Sequence, residues 1–119
     1  PKNTEEEKAI REEVMEKALK AASQVPFEIM KKSLEAIELH EELSSKGTKI
    51  AISDVGVGVA FCKSALLGAS LNVFINTKLM KDREYAEKLN REAEDIVMRG
   101  TEKADKIYIA IENQLKTKG

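Results

Sequence analysis

The groups able to do chemistry lie mostly in the apolar middle of the chain. Asp54, behind Ser53 at an expected helix start, serves either as a cap with its neighbour or as a carboxylate tuned by its surroundings. Asn72 and Asn76 stand one helical turn apart further along the same segment. Buried amides cost free energy unless they are paired, so these two bond neighbouring helices, cap the helix end or line a polar ligand pocket. Val55-Gly56-Val57-Gly58-Val59-Ala60-Phe61 imitates a dinucleotide-binding turn. Phe61 stands where the third glycine belongs and no alternation of strand and helix surrounds the run, which argues against that chemistry.

Cys62, the only cysteine, has no second thiol or nearby histidine and reads as a small core residue. His40, the only histidine, lies between Ile37 and Leu43 and reads as a hydrogen-bonded edge of the core rather than an acid or base. Without H-x-x-x-H, C-x-x-C or carboxylate–histidine spacing, no metal site is expected.

Helices must position these residues. The 119 residues suit one domain, and a 42% apolar content is too high for disorder, while one cysteine rules out an internal disulfide framework. Twenty basic against 21 acidic side chains leave a net charge of −1, so no global field draws the molecule to nucleic acid or an anionic membrane. No basic-then-apolar signal peptide opens the chain. The most apolar stretch, 50–77, is interrupted by Asp54 and Lys63 and is expected to be a buried core helix rather than a membrane span. A cytoplasmic location is the expectation.

Thr4 with Glu7 forms a capping box ahead of a helix expected to reach about Ser23, with Ile10, Val14, Ala18, Ala21 and Val25 as its packing stripe. Glu13 with Lys17 and Glu16 with Lys20 decorate the other face. Pro26 starts a second helix or kinks a continuous one. Phe27, Ile29, Met30, Leu34, Ala36, Ile37 and Leu43 form a broad apolar face up to Lys46, with Gly47 as a left-handed cap. Lys49-Ile50-Ala51-Ile52 could pass for a strand, but Ser53-Asp54 reads as an N-cap and the spacing predicts a helix over 54–76. Gly56, Ala60, Ser64, Gly68 and Asn72, every fourth residue, form a ridge of small side chains that lets another helix approach. A last helix, about Asp82 to Lys116, has its seam through Ala86, Leu89, Ala93, Ile96, Gly100, Lys103, Ile107 and Ala110. The expected fold is all-α, a bundle of about four helices with a central Gly/Ala-rich helix and a long C-terminal one.

Val25-Pro26-Phe27, then Ile52-Ser53-Asp54-Val55-Gly56-Val57-Gly58, then Gly68-Ala69-Ser70-Leu71-Asn72-Val73-Phe74-Ile75-Asn76, and the final acidic-basic helix follow one another in an order that resembles the cyclodeaminase/cyclohydrolase family. This is the all-helical domain of formiminotetrahydrofolate cyclodeaminase and of bacterial methenyltetrahydrofolate cyclohydrolases. Members usually begin with further helices and a Pro/Gly-rich turn that have no counterpart here, so residues 1–119 are expected to be one helical unit, the C-terminal portion of a larger domain.

The resemblance implies a homodimer holding a folate in a groove near the subunit interface, with no cofactor beyond that folate. It implies closure of 5-formiminotetrahydrofolate to 5,10-methenyltetrahydrofolate with loss of ammonia, or, as the alternative, interconversion of methenyl and 10-formyl forms. Both pass through a tetrahedral adduct at the one-carbon unit and need proton transfers. By position, Asp54 is the acid/base candidate, Ser53, Asn72 and Asn76 would contact the substrate, and Gly56 and Gly58 would allow close approach. Lys63, Lys78 and Lys81 would meet the carboxylates of the glutamate tail. A contrasting expectation is a non-catalytic association module, which oligomerises and shows no folate-dependent rise in melting temperature.

Overall fold

The computed structural model describes residues 4–45 and 51–117. Their order is α1 (Glu5–Ser45), α2 (Ile52–Leu79) and α3 (Arg83–Lys116), each packed against the other two in a rod with extents of 76 × 20 × 20 Å. The class is all-α, with three helices where about four were expected. The Gly47 cap and the Lys49-Ile50 part of the strand alternative lie outside the described residues.

The missing boundary is at Pro26, which lies inside α1. An interior proline removes one backbone hydrogen bond and crowds the preceding turn, at a cost of ~3 kcal/mol. That cost is offset because one buried row runs unbroken past it: Leu19, Ser23, Pro26, Phe27, Met30, Leu34 and Ile37. Ala22, whose carbonyl loses its partner, is exposed to water. The stripe Ile10, Val14, Ala18, Ala21 and Val25 is exposed instead of packed. It lies on the far side of the helix from Leu19 and Ser23, the positions buried over the same span.

α2 starts at Ile52, two residues earlier than expected, with Ala51 in the N-cap position and no side-chain cap. Ser53 and Asp54 therefore sit in the first turn, where a carboxylate still interacts favourably with the helix dipole. Among the described residues α2 is the one helix long and apolar enough to cross a membrane by length and composition. It is not the buried core helix expected. One side, Val55, Val59, Leu66, Ala69, Val73 and Thr77, packs against α1 and α3, while Val57, Phe61, Leu71, Ile75 and Leu79 face outward. The small-residue row winds across both sides, because a step of four residues advances about 40° around a helix of 3.6 residues per turn. Gly56 is buried and admits Ile111, whose Cγ2 lies 3.1 Å from where a Cβ would stand. Ala60, Ser64, Gly68 and Asn72 are exposed.

In α3 the buried row is Ala86, Leu89, Ala93, Ile96, Gly100, Ala104, Ile107 and Ile111. After Gly100 it takes two successive shifts from the expected seam: Ala104 replaces Lys103 and Ile111 replaces Ala110. A straight helix drifts against a seven-residue repeat, and an extra step of four restores the seam to the core. Lys103 instead reaches Glu38 on α1 at 2.7 Å.

The α2–α3 turn is fastened to α1. Glu16 accepts hydrogen bonds from the backbone N–H of Lys81 (2.8 Å) and Asp82 (3.0 Å), so it does not serve the Lys20 pair expected for it. Lys20 pairs with Asp82 at 2.8 Å and lies over the Tyr85 ring, while Glu12 pairs with Lys81 at 2.9 Å. Asp82 also caps α3 through Tyr85 N–H, and Arg83 donates to the carbonyls of Thr77 and Met80 at the end of α2. The Lys81 ammonium holds Glu12 below its ordinary pKa, the two backbone N–H donors lower Glu16, and Lys20 lowers Asp82, which in turn raises Lys20.

A lowered carboxylate contributes stability above its unfolded pKa and loses it as pH falls through the folded value. A raised lysine contributes below its unfolded pKa and loses it as pH rises through the folded value. Melting temperature is thus expected to fall on acidification below about pH 4 and at strongly alkaline pH. Glu16→Gln should flatten the acid limb measured by calorimetry across pH. An unchanged limb would remove Glu16 from the fastening.

Candidate functional site

The nine residues that the resemblance marks as site candidates all lie on α2 or just past its end, so the helix spaces them by its rise. Asp54 and Asn76 are about 33 Å apart along the axis. One three-helix unit therefore does not gather them around a single small molecule.

At the N-terminal end of α2, Ser53 and Gly56 line a groove of about 600 Å3 between α2 and the last turns of α3. Val57, Ala60, Phe61 and Ile111 give it apolar walls, and Tyr108, Glu112 and Lys116 bring polar groups from α3. The Lys116 ammonium lies 3.8 Å from Glu112. Gly56 has no side chain and so lets Ile111 pack close beside the groove. Asp54 is exposed and lies around the helix from this opening.

Gly58 faces His40: a Cβ there would collide with the imidazole Nε2. The His40 Nδ1 lies 2.6 Å from the Ala36 carbonyl, which can only accept, so Nδ1 carries the proton. The histidine is a half-buried, hydrogen-bonded edge of the core, as its sequence position indicated. Cys62 is half-buried in a second apolar groove, with Val25, Ile29, Phe61 and Ala65, and burial pushes its thiol pKa up, away from nucleophilic use. Among the described residues no group of three or more His, Cys, Asp or Glu side chains is arranged to hold a metal ion.

Two of the three lysines are engaged: Lys63 with Asp105 at 2.6 Å and Lys81 with Glu12. Lys78 is exposed. Asn76 donates to the Asn72 carbonyl at 2.8 Å, a bond within one helix that leaves the Asn72 amide on the outer surface.

Sequence reasoning missed Tyr108 and Glu112. The signal was the seam of α3. Once its last position is Ile111 rather than Ala110, residues 108 and 112 flank it on the side facing the start of α2.

A family model described as formiminotransferase-cyclodeaminase matches residues 1–95. The chain is 36% identical over 115 residues to a methenyltetrahydrofolate cyclohydrolase of Methylorubrum extorquens, covering 97% of this chain and 55% of the relative. It is 34% identical over 104 residues to a formimidoyltransferase-cyclodeaminase of Gallus gallus, covering 87% of this chain and 18% of that protein. The Rattus norvegicus protein of the same name is 32% identical over 88 residues, 74% of this chain and 16% of the relative. The chain thus spans about half the length of the cyclohydrolase and a small part of the longer proteins. On a match that reaches from the start of α1 into α3, the chain belongs to the formiminotransferase-cyclodeaminase family.

Proposed function

We propose that this chain works as part of a folate one-carbon enzyme that hydrolyses the methenyl bridge of 5,10-methenyltetrahydrofolate to the 10-formyl form. The observation that supports it is the 36% identity with a cyclohydrolase along 97% of the chain. The ammonia-releasing closure of 5-formiminotetrahydrofolate is the second reading, supported by the relatives named formimidoyltransferase-cyclodeaminase.

The groove at the start of α2 suits the reaction. Apolar walls accept the flat pterin, and Glu112 and Tyr108 stand where hydrogen-bonding groups are needed. Water adds to the cationic methenyl carbon and the adduct loses one proton; the ring nitrogen then takes a proton while the adduct hydroxyl gives up its own to become the formyl carbonyl as the carbon–nitrogen bond breaks, so that one proton is released overall. A carboxylate within reach serves both transfers. Asp54, by its place in the motif, and Glu112, on the groove wall, are the two carboxylate candidates for these transfers.

The test is loss of methenyl absorbance above the spontaneous rate, run beside a thermal shift with the folate. Binding to the native state must raise the melting temperature. Faster hydrolysis with a thermal shift is expected. Neither signal at millimolar folate from the full-length protein that carries this chain would defeat the proposal, and ammonia release from the formimino substrate alone would select the second reading.

A further inference from the structure

We propose that the apolar groove between α1 and α2 is a second binding site, which holds the 4-aminobenzoylglutamate arm of the folate with Ser33 as its hydrogen-bonding group. The groove measures about 600 Å3, within the range of small-molecule sites. Val25, Ile29 and Ala36 of α1 and Phe61, Cys62 and Ala65 of α2 wall it.

Ser33 is the group that this groove leaves unanswered. It is 8% exposed, and its hydroxyl has no hydrogen-bond partner among the described residues. Ser23, Ser44, Ser45 and Ser70 instead turn their hydroxyls back to the carbonyl three residues earlier, at 2.6–2.9 Å. Every fully enclosed side-chain oxygen and nitrogen among the described residues has a partner, so the Ser33 hydroxyl opens onto the groove it lines. A nearly buried hydroxyl without a partner costs free energy, which a carbonyl entering the groove recovers.

The walls and rim define the ligand. The interior suits a flat apolar body with one carbonyl at Ser33, and charge is found only at the rim. There Glu28 is engaged with Lys31 at 2.7 Å, whereas Lys32 stands 3.6 Å from Glu35 in a loose, exposed pair that a ligand carboxylate displaces at little cost. An aryl ring, its carbonyl and then a carboxylate tail is the order of groups in 4-aminobenzoylglutamate.

Phe61 joins this groove to the one at the start of α2, since it lines both. At 100° per residue, Val57, Ala60 and Ser64 fall on one flank of Phe61, and Cys62 and Ala65 on the other. A folate whose pterin lies between α2 and α3 passes its arm over the Phe61 ring, which offers an aromatic face to the aryl group. The identity of the ligand rests on the proposed function; the groove and its unpartnered hydroxyl do not.

Cys62 reports on the groove. In the full-length protein that carries this chain, maleimide labelling of Cys62, read by peptide mass spectrometry, should be slowed severalfold by saturating 4-aminobenzoyl-L-glutamate, a probe with neither pterin nor one-carbon unit. Ser33→Ala should raise the half-protecting concentration about 3–10-fold. Its melting temperature should hold, because the variant loses a hydroxyl with no protein partner. Lys32→Gln should weaken protection by this probe and leave protection by 4-aminobenzamide, which has no carboxylate, unchanged. With the folate itself, Ser33→Ala should raise KM and leave kcat nearly unchanged, as loss of uniform binding does. Cys62 that resists labelling without any ligand is covered by polypeptide, which overturns the assignment. Labelling that millimolar probe does not slow overturns it too, as does protection that both variants leave intact. Protection without turnover of either folate substrate sinks the functional reading alone. Turnover without protection sinks the second groove alone.

Discussion

Gly100→Leu should lower stability by about 3 kcal/mol, and Leu66→Ala by about 2–5 kcal/mol, yet the two together should cost less than either sum implies. Gly100 lies on the buried seam of α3, and a Cβ there would overlap the Leu66 Cδ1, with the Leu34 Cδ1 at 3.6 Å. Leu66 is fully buried, so it has no solvent to swing into. The three helices meet at this point, and the missing side chain of α3 is filled from α2. Glycine in a helix interior costs about 1 kcal/mol relative to alanine, a penalty that the fit of Leu66 offsets.

Gly100→Ala is the mild version. It gains helix propensity, loses the fit, and is expected to be destabilising by about 1 kcal/mol on balance. In the double variant the new leucine enters the space Leu66 vacates, so the coupling energy should exceed about 1 kcal/mol with the sign of rescue. Urea midpoints of the four proteins check this. Strict additivity would mean that the two side chains do not share one space.

The same contact shows what the sequence disclosed. The α3 seam was readable through Gly100 because its period is strong, and the loss of register beyond it was not, because the choice between Lys103 and Ala104 is made by the helix across from them. Pro26 left two readings open, a new helix or a continuous one, for the opposite reason, and the continuous helix holds. Its local cost is large and visible, whereas the compensation, a buried row from Leu19 to Ile37, exists only once α2 and α3 are in place. The stripe from Ile10 to Val25 has helical spacing, and spacing alone does not say which of two faces wins the core.

For the site, the motif around Ser53 and Gly56 was legible as residue types. Its opposite wall, Tyr108 and Glu112, was not, since it depends on the position of Ile111 against Gly56. The distance between Asp54 and Asn76 follows from helix geometry alone and could have been drawn from the sequence. It means that one α2 helix does not bring both residues to a single small molecule.

Asp54→Asn should reduce turnover by ~10²–10⁴-fold, the usual contribution of a positioned acid or base. Melting temperature should hardly move. Asp54 is exposed in the first turn of α2 and no side-chain hydrogen bond caps that helix, so the substitution gives up only a dipole interaction of about 0.3–1 kcal/mol. The asparagine keeps the shape and the hydrogen-bonding oxygen and removes the proton-carrying function, so KM should change less than kcat. Glu112→Gln is the necessary companion, because Glu112 is the carboxylate that lines the groove. If Asp54→Asn retains full kcat while Glu112→Gln loses it, proton transfer belongs to the groove carboxylate, and Asp54 keeps only its place in the first turn of α2. If both lose kcat and the double variant is no worse than either, the two carboxylates act on one proton path, as residues that work as a unit do.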